Sequence, residues 1–249
     1  MEYLVGFLIA TAVGLTGVGA GSITAPVLIL FFHLAPAQSV GTALTFAAVI
    51  KFAIFPIYVR RKQVDYRILA LLLAGGIPGV LLGVYLIGTL RTRNYEGAIF
   101  LLIGLTILLV SLGNLYRSLR NRSVQAYKDR SRWLPPLAAV IGSEVGFSSA
   151  GAGALGSLAL LNLTALTPAQ VVGTDMVFGL VLSLIGGGFH VFAGNFDSAI
   201  LSKLLIGGIA GAFAGANLTA ILPPRPLKLA LAVWLSALGA QLCWKAFAF

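Results

Sequence analysis

Four ionisable residues stand inside stretches of sequence otherwise too apolar to hold them: Lys51, Glu144, Asp175 and His190. A charge in such surroundings is costly unless protein, water or a ligand pairs with it, so each needs an account. Lys51 lies 14 residues beyond Ala37 (51 − 37), about 21 Å along a helix. It is placed to neutralise an anion, or to snorkel on its long stem toward the basic run at Arg60. Asp175 follows Gly173-Thr174 near the start of a long apolar stretch, where it carries a coupling proton or caps local backbone. Glu144 precedes a glycine-rich interruption and is a second proton carrier or a salt-bridge partner. His190 lies near a segment end, placed for an interfacial hydrogen bond. Asp175 and His190 are 15 residues apart (190 − 175), about 22 Å on one helix, and cannot touch.

A second group of residues offers backbone rather than charge. Gly17-Val18-Gly19-Ala20-Gly21 and Ser149-Ala150-Gly151-Ala152-Gly153 each interrupt an apolar run. Unwound backbone at membrane depth is tolerated only where protein or a polar cavity satisfies it. A half-helix beginning there presents free N–H groups and partial positive charge to an anion. Thr16, Ser22, Ser148 and Ser149 add hydroxyls beside the breaks, and Thr42 and Thr174 add a repeat-related pair. The candidate anion-binding set is therefore Gly19, Gly21, Ser22, Thr42, Lys51, Ser148, Ser149, Gly151, Gly153 and Thr174. Asp175, Glu144 and His190 are candidates for a coupling proton. The competing reading of both breaks is tight helix packing around small residues. Neither a Walker sequence, a metal-ligand cluster nor a G-x-S-x-G elbow occurs. The reading is of a non-enzyme with no cofactor and no metal.

The elements that position these residues come as a repeat. Pro36-Ala37-Gln38 recurs as Pro168-Ala169-Gln170 and Val40-Gly41-Thr42 as Val172-Gly173-Thr174, each at an offset of 132 (168 − 36). The same offset takes Gly19-Ala20-Gly21 to Gly151-Ala152-Gly153, Asp65 to Asp197, and Gly75-Gly76-Ile77 to Gly207-Gly208-Ile209. From Gly14 to Leu90, 27 of 77 positions match without a gap. Apolar composition alone does not keep glycine, proline, threonine and aspartate in one register.

Each copy holds five apolar stretches. The last three have the ~20 residues that span a bilayer core, whereas the first two are short and flank the glycine break. The expected architecture is an all-α polytopic membrane protein of two homologous halves. Residues 1–116 form the first repeat, 117–133 a basic cytoplasmic linker and 134–249 the second repeat. If each short pair is a re-entrant hairpin, each half crosses three times and the halves are inverted. If each pair is one broken span, they are parallel. The position of Arg225 and Lys228 relative to the other basic clusters favours inversion, with both termini outside; Arg91 and Arg93 fit neither arrangement.

Composition agrees with the membrane class: 59% of residues are hydrophobic, 10% are charged, and mean hydropathy is +0.99. The net charge of +10 is concentrated at Arg60–Arg67 and Arg117–Arg132, between apolar stretches. That placement speaks for topology signals and lipid headgroup contact, not nucleic acid. Cys243 alone forms no internal disulfide. The first apolar segment reads as a membrane element, not a cleaved signal.

The run Gly14-Leu15-Thr16-Gly17-Val18-Gly19-Ala20-Gly21 with Pro26 and Val40-Gly41-Thr42, its second copy Gly146–Gly153 with Val172–Asp175, and Arg60-Arg61 before Val64-Asp65 resemble the TauE/SafE sulfite-exporter family. The resemblance covers nearly the whole chain. It implies gradient-driven export of small sulfur-containing anions, sulfite or organosulfonates, across a bacterial inner membrane. It also implies that the family's glycine motifs fall on Gly17, Gly19, Gly21, Gly151 and Gly153. Ser149 in place of a glycine, and Ala20 and Ala152 in the middle places, depart from the pattern and bear on pocket shape. An anion channel and a membrane scaffold or assembly protein stand as alternatives. Oligomeric state is not legible.

Overall fold

The computed structural model describes residues 1–16, 20–92, 96–119, 130–150, 153, 155–218 and 224–246. These form ten α-helices and a 3-10 turn at Ser131–Trp133, with no strand among the described residues. The first half gives α1 (Glu2–Thr16), α2 (Ala20–Phe31), α3 (Pro36–Arg60), α4 (Tyr66–Thr92) and α5 (Glu96–Leu119). The second gives α6 (Leu134–Ser148), α7 (Leu155–Leu163), α8 (Pro168–Phe192), α9 (Ser198–Leu218) and α10 (Pro224–Ala246). α5 runs three residues beyond the expected end of its repeat at 116.

Local sequence explains where the long helices begin. Pro36 and Pro168 occupy the first turn of α3 and α8, where a missing N–H costs nothing and φ is preset. Thr167 adds a reciprocal cap: its hydroxyl accepts the Gln170 N–H at 3.3 Å, and the Gln170 side chain accepts the Thr167 N–H at 3.1 Å. Asp65 and Asp197 do the same work for α4 and α9, accepting the N–H groups of Ile68 and Ile200 at 3.0 and 2.8 Å.

α3, α4, α8 and α9 are each long and apolar enough to cross a membrane. In α3 and α8, 61% of the most apolar window is buried, against 39% in α4 and 33% in α9. α3 and α8 are therefore the centre and α4 and α9 flank it.

Packing exchanges elements between the halves. Gly207, Gly211 and Gly215 of α9 rest on the carbonyls of Tyr3, Phe7 and Thr11 in α1. Their repeat equivalents, Gly75, Gly79 and Gly83 of α4, rest on Pro135, Ala139 and Ser143 in α6. Absence of Cβ at these positions lets the backbones touch, which is how helices associate where no hydrophobic drive exists between them. Residue numbers rise together in both pairs, so α1 runs parallel to α9 and α4 parallel to α6.

The central pairs run the other way. Leu44 faces Gly186, Gly41 faces His190 and Asn195, and Gln63 faces Gly173, so α3 and α8 are antiparallel. In α5 and α10, Gly104 faces Cys243, Gly239 faces Leu108, and Ser111 bonds Ser236 at 2.8 Å, again in opposed order. Two hydroxyls lock the exchange: Thr42 Oγ1 accepts the Asp197 N–H, and Thr174 Oγ1 accepts the Asp65 N–H, both at 3.0 Å.

Candidate functional site

The short helices bring the two breaks together. α6 ends at Ser148, and Ser149 turns the chain out of the helix in a left-handed conformation (φ 63°), its N–H still bonded to Val145 at 2.9 Å. Gly21, in the first turn of α2, lies directly against Ser149. A Cβ at Gly21 would run into both the hydroxyl and the carbonyl of Ser149. The break of the first half thus abuts the break of the second. Gly17, Val18, Gly19, Gly151, Ala152 and Ala154 lie outside the described residues.

Around this contact the polar groups are buried and only partly satisfied. Ser22, Ser148 and Ser149 are buried, and the hydroxyls of Ser22 and Ser149 have no hydrogen-bond partner among the described residues. Ser148 Oγ lies 2.9 Å from Glu144 Oε1 and 3.0 Å from the Glu144 carbonyl, and it accepts the Ala150 N–H at 3.1 Å. Its single proton serves one of the two Glu144 oxygens, and Glu144 Oε2 is left unpartnered. Glu144 makes no ion pair among the described residues. Buried polar atoms without partners are costly, and a site for a polar ligand is one place where they persist.

Asp175 sits on the α7 side of the second break. Its Oδ2 accepts the Ser157 hydroxyl at 2.6 Å, and the backbone N–H groups of Gly153 and Ser157 also act on the carboxylate. Gly156 packs against Oδ1, which has no hydrogen-bond partner among the described residues. Lys51, on α3, is 5% exposed, so it does not snorkel to the protein surface. Its charge acts on Asp175 across the α3–α8 interface without a direct ion pair.

His190 differs from the expected interfacial residue: it is fully buried. Its Nε2 lies 3.4 Å from the Gly146 carbonyl, a group that only accepts, so this contact needs the Nε2–H tautomer. Nδ1 is then an acceptor with no partner among the described residues. Gly41, whose Cβ would strike the His190 side chain, explains why the histidine fits beside α3. Thr42 and Thr174, expected around the anion, have their hydroxyl oxygens engaged in the ties between halves.

Sequence reasoning missed Ser157, the direct donor to Asp175. The available signal was a hydroxyl in the first turn of a half-helix. It also missed Asp65 and Asp197 as caps, although the pattern of an aspartate immediately before an apolar helix was present. Away from the breaks, a cavity of about 420 Å³ opens where the chain enters the second half, lined by Arg130, Arg132, Trp133, Leu137 and Leu163.

The family model described as "Sulfite exporter TauE/SafE" matches residues 3–242. The probable membrane transporter protein YjnA of Bacillus subtilis (strain 168) is 28% identical, over 96% of this chain and 97% of its own. The probable membrane transporter proteins YdhB and YunE of the same organism are 28% and 21% identical. Those alignments cover 92% and 97% of this chain, and 93% and 96% of theirs. No solved structure matches the chain.

Proposed function

The chain belongs to the TauE/SafE sulfite-exporter family, a family of membrane transporters, and from that premise we propose that it exports a small sulfur-containing anion, sulfite or an organosulfonate, across a bacterial inner membrane by an ion-coupled secondary mechanism. The observation that carries the site is the contact of Gly21 with Ser149, flanked by the unpartnered hydroxyls of Ser22 and Ser149. An oxyanion accepts hydrogen bonds from such hydroxyls and from the free N–H groups at the start of α2. Lys51 supplies positive charge to the same interior, and Glu144, Asp175 and His190 are the groups able to carry a proton.

The proposed arrangement is an inverted repeat with a re-entrant hairpin in each half. Its support is the sense of packing. Three crossings per half make repeat-related helices antiparallel, as α3 is to α8 and α5 to α10, and make α1 parallel to α9 and α4 to α6. Four crossings would make α3 parallel to α8 and α5 to α10. The two short helices then meet from opposite faces near the midplane: 12 residues of α2 are about 18 Å long, roughly half the hydrocarbon thickness and its margins. Arg130, Arg132 and Trp133 suit an anionic lipid headgroup at the interface.

The test is uptake and release of sulfite and of methanesulfonate by proteoliposomes, wild type against Gly21→Val. Saturable flux that the variant loses supports the reading. A water-filled conductance with no saturation indicates a channel, and absence of flux and binding for every small anion indicates a scaffold.

A further inference from the structure

This inference rests on the anion-site reading and concerns the regulation of that site. The two half-helix N-termini are not alike. At α7 the chain supplies its own negative group: Asp175 takes the Ser157 hydroxyl, is supported by the N–H groups of Gly153 and Ser157, and presses on Gly156. Asp175 is 4% exposed, and its Oδ1 stays unpartnered against the first turn of the helix. At α2 the position related to 175 by the repeat is Ala43 (175 − 132), and the unpartnered groups there are hydroxyls.

A carboxylate and a sulfonate seek the same donors: backbone N–H groups, a hydroxyl and a partial positive charge. Two anions cannot share them at close range, because like charges disfavour one another's charged form. We infer that Asp175 is a tethered stand-in for the transported anion: charged, it holds the α7 N-terminus against substrate; protonated, it surrenders that terminus and lets one anion lie between α2 and α7. Binding then takes up a proton. The carboxylate gains H⁺, its bond from Ser157 is freed for the incoming oxyanion, and the charge of the site is unchanged for a monovalent substrate.

The surroundings fit a single switch. From α3, the Lys51 charge acts on Asp175, and a positive charge there attracts a bound anion as well. From α6, Glu144 bonds Ser148 of its own helix, and from the start of α4 the Asp65 carboxylate caps Ile68. α7 contributes only the neutral groups already named. Lys51 is the one described charge that acts on Asp175.

Methanesulfonate is a suitable probe because it carries one negative charge at every pH used, so any pH dependence belongs to the protein. Calorimetric titration of the purified full chain, in buffers of different ionisation enthalpy, reads both affinity and proton uptake. The wild type should bind at least about tenfold more tightly at about pH 5.5 than at about pH 8, and take up close to one proton per anion at the higher pH. Asp175→Asn should bind equally at both and take up none. A second measurement needs no ligand: hydrogen exchange in residues 155–163 should change with pH in the wild type beyond its intrinsic dependence, and not in Asp175→Asn. Wild-type binding that ignores pH, or an Asp175→Asn variant that keeps the pH dependence or the proton uptake, overturns the stand-in while leaving the anion site intact. Wild-type protein that binds no methanesulfonate, while exchange in α7 still follows Asp175, overturns the anion site and reduces Asp175 to a helix cap. The wild-type titration decides the matter even if the variant does not assemble.

Discussion

The two glycine breaks share a backbone plan and differ in what surrounds them. Beside the first stand Gly21, Ser22 and, at the repeat positions of the acids, Ala12 and Ala43. Beside the second stand Ser149, Glu144, Asp175 and His190. Among the described residues, the only buried charge on the first half is Lys51, whose repeat position is Ser183, and it acts on the second half's Asp175. Duplication supplied the frame twice, with the acids and the histidine placed in one copy and the lysine in the other. The scaffold should therefore respond alike to equivalent changes in the two halves, whereas the chemistry should not.

The largest effects should come from the breaks. Gly21→Val drives a branched side chain into the Ser149 hydroxyl and carbonyl, and it should reduce anion binding about 100-fold or more, as misplacement by an ångström can. Gly153→Val should lose binding too, because Gly153 has φ 97°, which valine rarely adopts. Both variants should lower thermal stability as well, Gly21→Val through its collision with the Ser149 backbone and Gly153→Val through backbone strain, so a melting curve is recorded beside each binding isotherm. A variant that keeps wild-type stability and wild-type binding would break the comparison.

Next comes the cross-half charge. Lys51→Met removes the positive charge facing Asp175 and should lower transport about tenfold, the effect of roughly 1.4 kcal/mol. Combined with Asp175→Asn it should be less destabilising than the sum of the single changes, with a coupling of about 1 kcal/mol in chemical denaturation. Wild-type transport by Lys51→Met would remove the lysine from the mechanism.

The scaffold supplies the control. Thr42→Val and Thr174→Val each delete one hydroxyl-to-backbone tie of the same length, so each should cost about 1 kcal/mol of stability, equal within about 0.5 kcal/mol. Unequal losses would show that the frame itself has diverged. Smallest is Ser111→Ala, which removes the Ser111–Ser236 bond between α5 and α10, far from the acids along the chain. It should cost about 0.6 kcal/mol and leave anion affinity unchanged.

Much of this was legible before any coordinates. The offset of 132 carries α1–α4 onto α6–α9, and the shortness of the segments around Gly17–Gly21 and Ser149–Gly153 marked the short helices. Local signals are readable because helix length and glycine content act within a segment. The exchange of α1 onto α9 and α6 onto α4 was not legible, although Gly75, Gly79 and Gly83 announced a close-packed face. Small residues say that something approaches and not what. For the same reason Asp175 could be placed on a helix but not assigned to Ser157, 18 residues earlier, since that contact depends on how α7 folds back. The burial of His190 was not legible either, because distance along the sequence to a segment end does not say which helices cover that end.

The central claim is that the transported anion lies where the two breaks meet. Selenate or bromide, soaked into crystals of the full chain and located by anomalous scattering, tests it most directly. The account predicts a peak within hydrogen-bonding distance of Ser22, Ser149 and the backbone at the start of α2, present in the wild type and absent in Gly21→Val. A peak elsewhere in the bundle, or one that survives Gly21→Val unchanged, would contradict it.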